Sequence, residues 1–339
     1  MRIAFAGAGA ITLRHLAAMR EVSGFEVAGI CDPDVDRARR ACALMGGQAY
    51  GGWEELLDAQ RSDALFVCTP TFAHREPAVA ALARGMHVYL EKPLARTLDD
   101  ARAIVAAWEA SEAVCAVGFQ WRSVDFLEQI RELLRSTPLA MLISSSLGPA
   151  EPGRLEQIAA AEPGHEPWFM QPTLGGGQLF ELASHDIDLQ LALAGPAARV
   201  QAATGLRRVA QAGLPASELP DTIALTLQFA SGALGTIQVV WTDPSIEPSY
   251  TVDVIAPGLA LHVTLDPTFG LRGHVGGDAV HAEVGAHPRV RTLEHFAAAV
   301  RANDRLAVPC TPRDGLAAVA VALACEEAIA TGRTVEVVT

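Results

Sequence analysis

The chain of 339 residues is long enough for two domains, and half of its residues are hydrophobic. Its formal net charge of −13, without a basic cluster, argues against nucleic acid or an anionic membrane as a partner. No apolar stretch reaches the ~18 residues that a membrane span needs, and the first ten residues lack a signal-peptide pattern, so we expect a soluble, cytoplasmic protein.

Strand-like and helix-like segments alternate over the first 120 residues. This alternation predicts βαβ units that form a doubly wound parallel sheet, a Rossmann domain over residues 1–120. The predicted strands are 2–8, 25–32, 64–70, 87–91 and 113–120, and the predicted helices are 11–21, 34–46, 75–85 and 97–111, the last capped by Thr97.

The second part of the chain, residues 121–339, has strands that follow one another closely. A short turn at Ala230, Ser231 and Gly232 indicates a hairpin. We expect an α/β domain with a mostly antiparallel sheet. Strands are predicted at 138–147, 198–205, 221–229, 233–241, 250–256 and 259–265, helices at 124–135, 178–194, 291–302 and 314–332, and a Pro- and Gly-rich excursion at 148–177.

The six cysteines are scattered, and none is spaced as Cys-x-x-Cys. Several lie within apolar runs, so we expect buried free thiols in a reducing compartment. No group of His, Asp and Glu residues has the spacing of a metal site, so the sequence predicts no required metal.

A glycine-rich turn follows the first strand and precedes the first helix. Gly7 allows a tight turn, and Gly9 lets the backbone approach a pyrophosphate at the helix N-terminus, although Thr12 replaces the third glycine of the dinucleotide motif. Asp32 ends the second strand, where a carboxylate accepts hydrogen bonds from the ribose hydroxyls and favours NAD over NADP. The alternative for Asp32 is a turn or helix N-cap. The predicted cofactor contacts of this region are Gly7, Gly9, Ala10, Ile11 and Asp32.

Polar residues also end the third and fifth strands, at the edge where ligands of such sheets bind. Thr69, Pro70 and His74 are predicted to contact the cofactor, with a plain strand-to-helix loop, capped by His74, as the alternative. Gln120 is a further predicted cofactor contact, and Arg122 is a predicted substrate contact.

Glu91, Lys92 and Pro93 end the fourth strand at the same edge. A lysine there is partly desolvated, can bind a substrate hydroxyl and favours the negative charge that develops as hydride leaves carbon. Glu91 is expected to hold Lys92 in place, and both Glu91 and Lys92 are expected to contact the cofactor. The alternative is a surface Glu–Lys pair at a strand end.

A polar stripe marks the predicted helix over 178–194. Glu181, His185 and Asp188 have the spacing of one helix face. His185 is a candidate general base, because its ordinary pKa suits proton transfer, and Glu181 can orient it or bind a hydroxyl. Asp186 is a weaker candidate, and Trp168 is expected to close over the substrate. The alternative is a solvated polar face with an incidental histidine.

Three motifs together resemble the Gfo/Idh/MocA oxidoreductases (glucose–fructose oxidoreductase and inositol dehydrogenase): "GAGAI" at the N-terminus, "EKP" after the fourth strand, and "GGGQLFELASHDIDL". The resemblance covers nearly the whole chain. It implies a nicotinamide-dependent dehydrogenase of a sugar or cyclitol, whose open C-terminal sheet is often the subunit interface. It implies a catalytic, substrate-binding Lys92 and matches His185 to the family histidine, with Glu181 in place of the family Asp.

We therefore expect an NAD-dependent dehydrogenase, with NADP as the less favoured cofactor, that oxidises a secondary hydroxyl of a sugar, cyclitol or related polyol. Lys92, His185 and Glu181 are the predicted catalytic residues. Two alternatives are a redox-neutral NAD-using enzyme that cleaves or epimerises a glycoside, and a non-catalytic NAD-binding regulator. A homodimer or homotetramer is expected.

Overall fold

Strand β1 (Arg2–Ala6) is buried over its last four residues and lies inside a sheet of six parallel strands in the described part of the chain. The computed structural model describes residues 1–59, 61–149, 167–206, 219–220, 222–242 and 247–339. The other strands of this sheet are β2 (Glu26–Cys31), β3 (Gln48–Tyr50), β4 (Ala64–Val67), β5 (His87–Leu90) and β6 (Cys115–Val117), in the order β3-β2-β1-β4-β5-β6. This order reverses between β1 and β4, so the ligand crevice of the sheet is expected at the carboxyl ends of those strands.

Helices connect these strands, as the alternating pattern predicts. They are α1 (Ala10–Met19), α2 (Val35–Met45), α3 (Trp53–Ala59), α4 (Arg75–Ala83) and α5 (Leu98–Glu109). Thr97 caps α5 by accepting a hydrogen bond of 3.2 Å from the backbone N–H of Asp100. The parallel Rossmann sheet is therefore confirmed. Strand β3 and helix α3 were not predicted, because β3 has three residues and α3 buries only Leu56 and Leu57.

The second sheet has nine strands in the described residues and is mixed. Strands β7 (Met141–Pro149) and β10 (Leu234–Thr242) pair in parallel, and the remaining pairs are antiparallel, which confirms the predicted open, mostly antiparallel sheet. The other strands are β8 (Ala197–Leu206), β9 (Thr222–Phe229), β11 (Ser249–Ala256), β12 (Leu259–Asp266), β13 (Phe269–Val275), β14 (Asp278–Glu283) and β15 (Val335–Glu336), and the order is β14-β13-β12-β11-β7-β10-β9-β8-β15.

The predicted hairpin at Ala230–Gly232 joins β9 to β10, and Gly232 has a φ of +90°. Strands β13 and β14 were missed because β13 contains two glycines and β14 has no buried residue to give an apolar alternation. Most of the predicted excursion at 148–177, residues 150–166, lies outside the described residues.

Helices α6 (Leu127–Ser136) and α7 (Ser184–Ala194) belong to the same part of the chain as this sheet. The helix predicted over 178–194 begins instead with a π-helical segment, Leu179–Ala183, before α7. Short π-helical segments of this kind recur at functional sites of helical proteins.

The chain divides into two compact units, Met1–Ser123 with Ala286–Leu316 and Val124–Gly285 with Ala317–Thr339. Helix α9 (Pro312–Thr331) contains the division at Leu316. Helix α8 (Pro288–Ala302) lies in the first unit, although the sequence prediction placed all residues after 120 in the second domain. Helix α8 belongs to the first unit because of its apolar face: Val290, Leu293 and Phe296 are buried in the same core as Phe66. The rings of Phe296 and Phe66 have centroids 5.7 Å apart.

All six cysteines are free thiols, and five of them are buried. Among the described residues no helix combines the length and the apolar character needed to cross a bilayer.

Candidate functional site

The turn between β1 and α1 contains two glycines with different surroundings. Gly7 has a φ of +97°, and a Cβ atom there would lie 2.5 Å from the carbonyl oxygen of Cys68, so the chain itself requires glycine. A Cβ atom at Gly9 would meet nothing within 4 Å. The open space at Gly9 is where a bound group can approach the backbone.

Thr12 stands where the dinucleotide motif usually has its third glycine. It is fully buried, and its hydroxyl donates a hydrogen bond of 2.7 Å to the carbonyl oxygen of Gly7. The threonine therefore closes the turn by a side-chain hydrogen bond, and the departure from the motif leaves the turn intact.

The N-terminus of α1 fits the pyrophosphate of a dinucleotide. Gly9 is the N-cap residue, and no side chain caps this end of the helix. An uncapped N-terminus carries a partial positive charge and free N–H donors, which suits an anion. Ala10 and Ile11 form the first turn of α1, and the residues present fit NAD; the predicted cofactor contacts of Ala10 and Ile11 stay predictions.

Asp32 lies just after β2 and next to the turn. Its Oδ2 accepts a hydrogen bond of 2.9 Å from the N–H of Ala8, and its Oδ1 accepts one of 2.9 Å from the N–H of Asp34. The helix N-cap is Asp34, whose side chain accepts from the N–H of Arg37. Asp32 therefore braces the turn, and because a carboxylate can accept about four hydrogen bonds it retains acceptor capacity for ribose hydroxyls.

His74 connects two of the loops at the carboxyl edge of the sheet. Its Nδ1 lies 3.0 Å from the carbonyl oxygen of Pro93, and its Nε2 lies 3.0 Å from that of Thr69. Burial lowers the pKa of His74, although these carbonyl groups and Glu91 act in the opposite direction. Pro70, which follows Thr69 in the chain, is half-buried. His74 thus has its ring nitrogens at backbone carbonyls of its own unit, and its predicted cofactor contact stays a prediction.

Glu91 and Lys92 follow β5 at the same edge. Glu91 is buried, with its Oε1 2.6 Å from the Nε2 of His15 on α1. The backbone N–H of Lys92 donates to the Oε2 of Glu91 over 3.2 Å, and Lys92 is half-buried. The Lys92–Pro93 peptide bond is cis. The interpretation of Glu91 as a surface residue is wrong, because its carboxylate faces the interior.

Lys92 is the only lysine of the whole sequence, and every other cationic side chain is an arginine. A guanidinium stays charged at any accessible pH, whereas an amine can change its protonation state when it is desolvated. An amine side chain therefore occurs at this position alone. The composition of the sequence thus singles out Lys92 independently of its motif.

Gln120 to Ser123 form a 3-10 turn after β6. The Oε1 atom of Gln120 is buried and has no hydrogen-bond partner among the described residues, which leaves an acceptor for a ligand. Arg122 is buried; its Nη1 lies 3.1 Å from an oxygen of Asp314 and donates to the carbonyl oxygen of Pro309 over 3.2 Å. Burial raises the pKa of Asp314, but the charge of Arg122 and the bonds from Thr311 outweigh it and lower the pKa. This ion pair gives Arg122 a structural role, and its substrate contact stays a prediction.

In the second unit, Glu181 lies in the π-helical segment and is buried, and His185 is half-buried in the first turn of α7. Asp188 is also buried, so the alternative of a solvated polar face is wrong for Glu181 and Asp188. The joint action of Lys92, Glu181 and His185 on one substrate stays a prediction.

The glycines before this segment pack tightly against the chain. A Cβ atom at Gly175 would clash with the backbone of Phe169, and one at Gly177 would lie 2.7 Å from the side chain of Leu219. At both positions the chain itself therefore fills the space beside the glycine. Trp168 is half-buried, with its ring 5.9 Å from the ring of Phe169 in an edge-on arrangement.

Asp186, the weaker sequence candidate, is a buried carboxyl group of the second unit with a shifted pKa. It is buried, and Ser146 on β7 donates to its Oδ2 over 2.7 Å, while Oδ1 has no partner in the described part of the chain. Burial raises the pKa of Asp186 to about 7, although Ser146 and Ser144 lower it. Among the described residues no group of three His, Cys, Asp or Glu side chains is placed to hold a metal ion.

Comparisons with known proteins agree with this geometry. Residues 1–119 match the model of an oxidoreductase family with an NAD-binding Rossmann fold, and residues 153–254 match a GFO/IDH/MocA C-terminal domain. 1,5-Anhydro-D-fructose reductase from Ensifer adhaerens is 25% identical over 340 residues, which covers 98% of this chain and 97% of that protein. Glucose-6-phosphate 3-dehydrogenase from Bacillus subtilis is 29% identical over 143 residues, so the match spans 42% of this chain and only 40% of that relative.

Levoglucosan dehydrogenase, solved in complex with NADH and levoglucosan, superimposes with a TM-score of 0.86 over 100% of this chain and 99% of that chain, at 18% identity. This likeness establishes the fold. Since both parts of the chain match one family, in the order and at the positions that the motifs indicate, the chain belongs to the GFO/IDH/MocA family of NAD-binding oxidoreductases.

Proposed function

We propose that this protein is an NAD-dependent dehydrogenase that oxidises a secondary hydroxyl of a sugar, cyclitol or related polyol. The observation that carries the proposal is the position of Lys92, the single lysine, beside a buried carboxylate at the carboxyl edge of the Rossmann sheet. The sugars named for the similar proteins support this substrate class. The substrate itself is one that an amine and an imidazole can recognise through its hydroxyl groups.

Each predicted catalytic residue has a defined task in this proposal. When bound, NAD accepts the hydride that leaves the substrate carbon. The ammonium group of Lys92 donates a hydrogen bond to the reacting hydroxyl and stabilises the negative charge that develops on its oxygen. His185 takes the hydroxyl proton, and Glu181 orients the imidazole or a second hydroxyl. Arg122 and Trp168 are the proposed further substrate contacts.

NAD rather than NADP is the proposed cofactor. The carboxylate of Asp32 repels a 2′-phosphate, and it retains acceptor capacity for the ribose hydroxyls. Gly7, Gly9, Ala10 and Ile11 receive the pyrophosphate, and the side-chain Oε1 of Gln120 is an acceptor that no described residue uses. The six free cysteines support a reducing, cytoplasmic location.

A substrate screen combined with one substitution tests this proposal. Sugars, inositols and sugar acids are offered with NAD and with NADP, and the reduced cofactor is followed by its absorbance. Lys92→Arg keeps the charge but loses the compact amine, so we expect kcat to fall by about 1,000-fold with an unchanged Kd for NAD. Arg84→Lys, the reverse exchange in an exposed ion pair with Asp58, is the control and should leave kcat unchanged.

Other outcomes separate the alternatives. A protein that retains NAD through purification and converts glycosides without net NADH favours the redox-neutral enzyme. A protein that binds NAD but converts no member of the screen, with identical behaviour of the Lys92 variant, favours the regulator. Loss of NAD binding in Lys92→Arg would mean that Lys92 is structural and would overturn the assignment.

A further inference from the structure

A histidine of the dinucleotide-binding helix lies against the Glu91–Lys92 segment in the interior of the first unit. His15, on α1, is 0% exposed, and its Nε2 lies 2.6 Å from the Oε1 of Glu91, which is 6% exposed. The His15 ring packs edge-on against two aromatic rings of neighbouring strands, with centroids 5.1 Å away for Tyr89 and 5.8 Å for Phe66. The ring therefore has one fixed orientation, with Nε2 toward Glu91.

The charge state of this pair follows from its surroundings. Burial lowers the pKa of His15, against the influence of Glu91. Burial alone would raise the pKa of Glu91, but its hydrogen bond with His15 and the charges of Arg289 and Lys92 lower it. The Nδ1 of His15 has no hydrogen-bond partner among the described residues, so a second N–H there would be buried without an acceptor. A neutral imidazole therefore donates Nε2–H to an ionised Glu91.

Glu91 contacts both His15 and the backbone of Lys92. Its Oε1 faces His15, while its Oε2 accepts the backbone N–H of Lys92 over 3.2 Å. A Cβ atom at Gly118 would lie 3.1 Å from Oε1, so the carboxylate is enclosed on that side as well. An ionised carboxylate in a fixed place holds the backbone of the next residue and keeps a negative charge close to its ammonium group.

We infer that His15 is a positioning residue for Lys92. Through its Nε2–H donor, His15 holds the Glu91 carboxylate ionised and in place. The inference rests on the proposed function where it concerns turnover, because Lys92 is the catalytic amine only in that proposal. His15 also joins the helix that receives the dinucleotide to the strand end that presents the amine. The hydrogen bond between His15 and Glu91 thus connects this helix to the residue that precedes Lys92.

Several ionisable groups face Glu91, and they must be considered in any pH measurement. The groups are His15 on α1, Cys68 after β4, His74 before α4, Tyr89 on β5, Lys92 and Arg289 on α8. Burial raises the pKa values of Cys68 and Tyr89 well above their ordinary range, so both stay neutral.

Two amide substitutions at His15 distinguish the loss of the Nε2–H donor from the loss of the imidazole ring. Gln places its amide nitrogen near the position of Nε2, whereas Asn reaches only as far as Nδ1, so His15→Gln keeps the donor and His15→Asn removes it. We expect His15→Asn to lower kcat by about 10- to 100-fold, the effect of removing one hydrogen bond to a buried charge. His15→Gln should stay within about threefold of wild type. The Kd for NAD should be unchanged in both variants.

The single lysine supplies a measurement that does not depend on turnover. Trace labelling with an amine-reagent pair of different isotopic mass reports the reactivity of one side-chain amine in the chain. Without an ionised Glu91 the neutral amine is favoured, so Lys92 in His15→Asn should react about 3- to 10-fold faster at pH 7. His15→Gln should react like wild type. Glu91→Gln, which keeps the shape and removes the charge, should resemble His15→Asn, and it replaces that variant if His15→Asn does not fold.

The outcomes decide the inference. Equal labelling rates in wild type, His15→Asn and Glu91→Gln would overturn it, as would equal kcat losses in His15→Asn and His15→Gln. If wild type converts no substrate, the proposed dehydrogenase function fails. The labelling comparison still decides whether His15 controls Lys92.

Discussion

Two buried carboxyl groups of this protein take opposite charge states. Glu91 has a histidine donor and the cations Lys92 and Arg289 nearby, and its pKa is lowered to about 2 in spite of burial. Asp186 has serine hydroxyls as its polar partners, and burial raises its pKa to about 7. Burial is therefore common to both, and the partners decide the charge.

Asp186→Asn tests the charge state of Asp186. In the folded chain the carboxyl keeps its proton up to about pH 7, whereas its ordinary pKa is 3.8. Between these values the folded state binds more protons than the unfolded state, so this group makes the free energy of unfolding fall as the pH rises. Asn resembles the protonated carboxyl and does not titrate. Relative to wild type, the variant should gain on the order of 4 kcal/mol at most between pH 4 and pH 8.

Urea unfolding at several pH values measures this difference. Asp278→Asn, at an exposed carboxyl group of the same unit, removes the same charge without burial and should show no such gain. A constant difference between wild type and Asp186→Asn over the whole pH range would contradict the raised pKa.

At the scale of elements, the turn from β1 to α1 divides its two glycines between folding and binding. Gly7 has a positive φ and lies against the Cys68 carbonyl group, while Gly9 has an ordinary φ of −76° and open space at its Cβ position. A Cβ atom at the first position conflicts with the chain itself, and one at the second meets no described atom within 4 Å.

Gly7→Ala and Gly9→Ala should therefore differ in kind. Gly7→Ala should lower the free energy of unfolding by about 2–4 kcal/mol, through the strained φ and the clash. Gly9→Ala should change stability by less than about 0.5 kcal/mol but weaken NAD binding by about tenfold or more. Thermal unfolding and titration of NAD measure both. Loss of stability in Gly9→Ala, or intact NAD affinity, would refute the assignment of this turn to the pyrophosphate.

The same elements indicate what the sequence can and cannot predict. The alternation of apolar strands and helices predicts the Rossmann sheet, because each buried strand and each capped helix has a local signal. The link between His15 and Glu91 joins residues 76 positions apart, and no local pattern indicates it. The packing of α8 against the first sheet is of the same kind, because an apolar helix face does not specify its partner. The sequence indicates Asp186 as a weaker candidate residue. Its charge state depends on Ser146, which is 40 positions away and which no local pattern connects to it.

At the scale of the whole molecule, the nine-stranded sheet has two unlike faces. One face of β7 carries the buried residues Leu142, Ser144 and Ser146, of which Ser146 bonds to Asp186 on α7. On the opposite face, Met141 pairs across the sheet with Leu234 on β10 and Ile255 on β11. Leu234 is 38% exposed and Ile255 is 37% exposed, so an apolar row of three strands faces outward. We propose that this row lies in the interface of a homodimer or homotetramer.

Ile255→Lys tests the proposed assembly. A charge in the middle of an apolar contact must be desolvated without a partner, so the dissociation constant between subunits should rise by about 100-fold. Light scattering during gel filtration should give wild type at least twice the 35.7 kDa of one chain and the variant the mass of a monomer at low micromolar concentration. Leu44→Lys, at a leucine of α2 that is 48% exposed, introduces the same charge in the first unit and should leave the mass unchanged. Monomeric wild type, or an Ile255→Lys variant as large as wild type, would exclude this face as the interface. In the second case, a lysine buried in the row could not have been accommodated at so small a cost.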